Sequence, residues 1–160
     1  MHLYHKKPPM EIKSLAKRTV IEKDEKLNLT FAQFQKLLSE LRKQKLTNEI
    51  IEKLNVFIEE LNSTHETEFK KQLKLKQTKI VKLLEKELKI VPKNYYRNIW
   101  LAVGMAAFGV PIGVSFGLSM GNLGLLGLGL PIGMAIGIAI GTGMDKKAFE
   151  EGRQLDVVLK

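Results

Sequence analysis

No cysteine occurs in this 160-residue chain, which excludes disulfides and thiolate zinc sites and implies no redox compartment. The N-terminus, Met1-His-Leu-Tyr-His-Lys-Lys-Pro-Pro, lacks the apolar h-region of a cleaved signal peptide. Residues 1–93 are therefore expected to stay on the side of any membrane where they are made. Histidine is scarce: His2 and His5 are two ligands without a third, and His65 stands alone at a helix start, so no metal site is expected. Asp24 to Phe34 lacks the acids and central glycine of a calcium loop. No Gly-Lys-Ser/Thr follows the glycines, so there is no phosphate loop. No nucleophile has a plausible base beside it in the sequence. Neither an enzyme nor a cofactor is expected.

The most informative absence is charge. From Asn98 to Met144, 47 residues pass without a charged side chain. Residues 1–93, in contrast, hold 21 of the 26 Lys+Arg and 13 of the 17 Asp+Glu, a net +8 of the chain's +9. A basic half beside an apolar half points to a partner with an anionic surface, most simply the lipid headgroup layer.

The expected fold class is all-α: a soluble N-terminal region of about three helices, then a two-helix transmembrane hairpin. Residues 1–29 are weakly patterned; Pro8-Pro9 breaks any early helix, and Ile12, Leu15, Val20 and Ile21 support one short helix at most. Residues 30–93 carry three helix starts. Thr30 with Gln33 forms a capping box, with Leu29 and Phe34 as a staple. Thr47 caps a second helix, with Leu46 and Ile51 as its staple. Ser63 with Glu66 opens a third helix, running from Thr64 to about Val91. The apolar stripes, including Phe31, Phe34, Leu37, Leu38 and Leu41, then Ile50, Leu54, Phe57, Ile58 and Leu61, should meet in a small antiparallel bundle. On the third helix Lys71, Lys74, Lys82, Lys86, Lys89 and Lys93 fall along one face. A polybasic juxtamembrane helix of this kind suits anionic headgroups, at up to about 1 kcal/mol per lysine.

The apolar run contains an internal repeat. Gly109-Val-Pro-Ile-Gly113-Val-Ser-Phe-Gly117-Leu-Ser-Met-Gly121 recurs 20 residues later as Gly129-Leu-Pro-Ile-Gly133-Met-Ala-Ile-Gly137-Ile-Ala-Ile-Gly141. One helix of 47 residues would be about 70 Å long, enough for two crossings of a core of about 30 Å. The hairpin is expected over residues 94–147, with legs at about 98–120 and 123–144, joined at Gly121-Asn122-Leu123-Gly124. Tyr95, Tyr96 and Trp100 sit where an interfacial aromatic belt belongs. Lys93 and Arg97 flank one end, Lys146, Lys147 and Arg153 the other, which places both termini in the cytoplasm. Gly109, Gly113, Gly117 and Gly121, and Gly129, Gly133, Gly137 and Gly141, are two ridges for close helix packing. They serve either between the two legs or between copies in a homo-oligomer. Pro111 and Pro131, near the middle of each leg, should each bend their helix. Residues 148–160 form a tail, beginning with a last helical turn or two stopped by Gly152.

The repeat and its Asp145-Lys146-Lys147 end resemble the bacterial glycine-zipper membrane proteins over about residues 95–152. The resemblance implies a hairpin in the bacterial inner membrane and self-association; it carries no activity and no catalytic residue. The function expected is a non-enzymatic, membrane-tethered interaction or scaffold module, with a protein partner for residues 1–93. An oligomeric pore or membrane-permeabilising effector is the alternative. A membrane-tethered nucleic-acid binder is weaker, because the lysine face lacks interleaved aromatics.

Overall fold

A computed structural model of the chain describes residues 10–159. Pro8-Pro9, His2, His5 and the N-terminal leader pattern lie outside the described residues. The chain divides into two units: residues 10–89 together with the chain from Leu155, and Ile90–Gln154.

In the first unit, residues 10–18 are neither helix nor strand, and a short helix α1 (Thr19–Lys23) leads into α2 (Glu25–Arg42), α3 (Asn48–Ser63) and α4 (Glu66–Leu88). α2 begins six residues earlier than its Thr30-Gln33 box predicts. Asp24 is the cap, accepting the Leu27 N–H at 3.0 Å. Leu27 is buried one turn ahead of Phe31, so extending the helix also extends its apolar stripe. Thr30 is an interior, buried residue whose hydroxyl donates to the Lys26 carbonyl. Thr47 occupies the N-cap position of α3 without a side-chain bond. Ser63 closes α3 rather than opening α4: its hydroxyl donates back to the carbonyls of Glu59 and Glu60, and His65 takes the N-cap position. α4 stops at Leu88, where Lys89 turns left-handed at φ 57°.

α4 packs against both α2 and α3. Phe34, Leu37, Leu41, Leu54, Leu61, Phe69 and Leu73 are fully buried, each contributing about 1.5–3 kcal/mol by leaving water. Two short strands depart from the all-α expectation: β1 (Val91–Lys93) in the second unit and, at the C-terminus, β2 (Gln154–Val158). The residues of β2 alternate as a half-buried strand should, with Leu155 and Val157 in and Asp156 and Val158 out. Lys36 of α2 pairs with Asp156 at 3.8 Å.

The second unit is a helical hairpin. Its first leg is α5 (Tyr95–Gly104), a π-turn (Met105–Gly109) and α6 (Val110–Ser119). A 3₁₀ turn (Leu123–Leu125) leads to the second leg, α7 (Leu126–Glu150). Both legs are long and apolar enough to cross a membrane. α5, the π-turn and α6 all lie along α7.

Candidate membrane hairpin and its glycine seam

The interior of this hairpin has almost no side chains. Among its described residues, the buried positions in the two legs are Gly104, Gly109, Gly113, Gly117, Gly129, Gly133, Gly137 and Gly141, followed by Asp145 and Ala148 near the end of α7. The glycines of one leg face the backbone of the other. A Cβ on Gly129 would lie 2.1 Å from the Gly109 carbonyl oxygen, and one on Gly133 2.4 Å from the Gly109 nitrogen. On Gly137 it would meet the Trp100 carbonyl oxygen at 2.1 Å, and on Gly141 the Arg97 Cα at 2.5 Å. Such approaches are open only to residues without a Cβ, because no rotamer change removes a backbone clash.

Gly121 is not part of this seam. Its φ is +62° and nothing lies within 4 Å of the position a Cβ would take. It lets the chain leave α6 in a left-handed turn, and Asn122 completes the turn by accepting the Gly124 N–H at 2.9 Å. Gly104, five residues before Gly109, takes a place in the seam instead; its Cβ would meet the Gly133 carbonyl oxygen at 2.3 Å. Five residues of α-helix overshoot one turn by about 140° and would carry Gly104 off the face. The π-turn absorbs the extra residue and brings it back.

Pro111 follows the π-turn directly, at the start of α6, and the leg keeps helical backbone up to it and beyond it. The Val110 N–H bonds to the Met105 carbonyl across the π-turn, and the Ser115 hydroxyl donates to the Pro111 carbonyl at 2.9 Å. Pro131 lies inside α7, which continues through it.

At the open end Asp145 closes the seam. Asn94, the N-cap residue of α5, is left-handed at φ 61° and offers no side-chain cap. The buried Asp145 carboxylate supplies one from α7, accepting the N–H groups of Tyr96 at 3.1 Å and Arg97 at 3.0 Å. A carboxylate at a helix N-terminus satisfies orphan donors and complements the helix dipole. Tyr95 and Tyr96 meet edge to face, with ring centroids 5.2 Å apart. Trp100 is half-buried and Arg97 exposed. Lys146 and Lys147 are exposed and pair with Glu150 and Glu151 at 3.8 and 3.9 Å.

In the first unit, α4 presents Lys71, Lys74, Lys79, Lys82 and Lys86 to solvent. None of the five is in an ion pair among the described residues. Lys79 extends the face read from the sequence. Lys89 is at the left-handed helix end, 3.9 Å from Glu85, and Lys93 is half-buried in β1. Lys76, on the opposite side, is buried against the Phe57 ring and paired with Glu60. Burial pushes its ammonium pKa below the ordinary lysine value.

Comparison with protein families, curated proteins and solved structures finds no match to this chain.

Proposed function

We propose that this chain is a non-enzymatic, membrane-tethered interaction module, held in a bacterial inner membrane by a glycine-zipper hairpin with both termini in the cytoplasm. The observation that carries the reading is the inverted burial of the hairpin. A helix in the core of a soluble protein buries its large side chains; here only 17% and 22% of the most apolar stretches of the two legs are buried. What is buried is glycine, while Phe108, Phe116, Leu118, Leu128 and Ile132 point outward. In water that surface would be a large aggregation-prone patch; in lipid it is ordinary, and close backbone contact is the means by which helices associate. The unpaired lysine face of α4 suits an anionic leaflet.

The glycine ridges support an anchor over a pore. Gly109 and Gly113 of the first ridge and Gly129, Gly133, Gly137 and Gly141 of the second face the backbone of the opposite leg of the same chain, so these glycines are used within one hairpin. The test is expression of the full chain, with carbonate extraction of membranes and a readout of membrane potential. Retention in the extracted membranes with an unchanged potential is the expected result. Depolarisation that Gly133→Leu abolishes would replace the anchor with the pore. Since the chain has no cysteine, Asn122→Cys and Lys82→Cys can report sidedness with a membrane-impermeant maleimide. The first should label from outside the cell and the second only after lysis.

A further inference from the structure

The π-turn leaves one polar group of the first leg without a helical partner. In the α pattern the Ala106 carbonyl would accept the Val110 N–H, but that N–H goes to the Met105 carbonyl. In the π pattern its donor would be residue 111, which is proline and has no N–H. Ala106 thus has a backbone donor in neither pattern. The hydroxyl of the leg nearest in sequence, on Ser115, is committed to the Pro111 carbonyl at 2.9 Å. Pro131 removes the α-helical donor of Gly127 in the same way, but Gly127 is the second residue of α7, beside the turn. Ala106 is far from either end. It lies about 12 Å along the leg from Asn98 and about 20 Å from Ser119, inside an apolar layer of about 30 Å. Ala102, Val103, Ala106 and Ala107 are exposed, so no large side chain of theirs covers the carbonyl. From Pro111 onward a groove of about 480 Å³ follows α6, lined by Pro111, Ile112, Ser115, Phe116, Ser119 and Met120.

In hydrocarbon an acceptor without a donor is strongly disfavoured, because no water replaces the lost bond. Lipid donors belong to the headgroup layer, not to this depth. We propose that the Ala106 carbonyl and the groove beyond it dock a transmembrane helix of a different protein, one that presents an amide or hydroxyl donor at mid-membrane. A second copy of this chain does not fit. Inserted with the same orientation, it meets the site with residues 102–110 of its own first leg, none of which has a side-chain donor. Gly133 lies against Gly104 and Gly109, so residues 129–137 of the second leg share that level, and they have none either. Small residues let a partner backbone approach closely, and one interhelical hydrogen bond then fixes its depth. This site gives the interaction module its kind of partner and rests on the membrane reading of the hairpin.

The test uses the full chain in phosphatidylcholine vesicles, with Trp100, its single tryptophan, as the energy-transfer donor. The probe is a leucine-based transmembrane peptide with one central asparagine and a terminal dansyl group; an all-leucine peptide is the control. Transfer from Trp100 to the asparagine peptide should exceed transfer to the control several-fold. Pro111→Ala restores an N–H within π reach of Ala106 and should bring the two peptides level. Val110→Phe, at an exposed position, keeps the proline and leans a larger side chain back over the preceding turn; it should have the same effect. Equal transfer to both peptides from the wild type overturns the docking site, as does a preference for asparagine that survives both substitutions. Flotation separates this from the tether. A chain that floats with the vesicles but shows no preference loses the site alone, whereas a chain that stays behind loses the membrane hairpin as well.

Discussion

Two aspartates show how one side chain can fix the end of a distant element. Asp145 sits 49 residues from Tyr96, whose N–H it accepts, so its loss should release the start of α5 from α7. Asp145→Ala is expected to cost about 1–2 kcal/mol, as for other N-caps, and Asp145→Asn less, because its amide keeps one acceptor; thermal melts in detergent would check this. Asp24 caps α2 and pairs with Lys70, whose hydrogen bond, with that of the Leu27 N–H, holds the carboxyl below its usual pKa. A depressed folded pKa stabilises the fold above the unfolded value of about 3.9. That contribution is lost as pH falls through the folded value. Asp24→Asn should therefore lower Tm at neutral pH, and the gap from wild type should close as the solution is acidified below pH 4. A gap that persisted unchanged in acid would exclude the ionised cap.

At the scale of elements, the hairpin separates glycines that pack from glycines that do not. Gly129→Ala puts a methyl group into the Gly109 carbonyl, and overpacking of this kind costs about 1–3 kcal/mol or more. Gly127 and Gly143 have nothing within 4 Å of a Cβ, so Ala at either should be neutral or slightly stabilising. Comparing unfolding midpoints of the three variants in detergent tests the seam directly. The π-turn allows a sharper comparison. Deleting Ala106 shortens the Gly104–Gly109 step to four residues, which a regular α-helix keeps on one face, so the seam should survive. Deleting Val114 leaves Gly113 and Gly117 three apart and should disrupt it; protease resistance of the reconstituted hairpin reads both. Much of this was legible in the sequence: the two long apolar helices follow from uninterrupted hydropathy, and the turn from Gly121 and Asn122. Gly104 was missed because a five-residue step breaks the four-residue pattern, although the 20-residue repeat already matches it to Gly124. The cap at Asp24 was hidden by a better-looking capping box at Thr30. The hydrogen bonding of Asn55 to Lys13 and of Asn62 to Ala16 joins residues more than 40 apart, which no local pattern reveals.

For the molecule as a whole, charge and apolarity are segregated along the chain, and the interaction-module reading turns that segregation into a measurable expectation. With the full chain reconstituted in vesicles, Lys71, Lys74, Lys79, Lys82 and Lys86 should be shielded from an amine-reactive reagent by anionic lipid and open to it in zwitterionic lipid. Raising salt from 0.1 to 1 M shortens the Debye length from about 10 to 3 Å and should remove the difference. Equal labelling in both lipids would detach the lysine face from any headgroup role.

The glycine seam has one more consequence, for how the hairpin closes. Ordinary helices freeze side-chain rotamers when they pack, at up to about 1.5–2 kcal/mol for the longer residues; glycine has none to freeze. On the membrane reading its backbone freedom is also already spent, because a chain in lipid must satisfy its own hydrogen bonds as helix before the legs meet. Closure is then nearly free of conformational entropy change, and its equilibrium should depend only weakly on temperature. On heating, the side-chain core of residues 10–89 should melt cooperatively while the hairpin stays shut, a stiff peg that outlasts the helices attached to it.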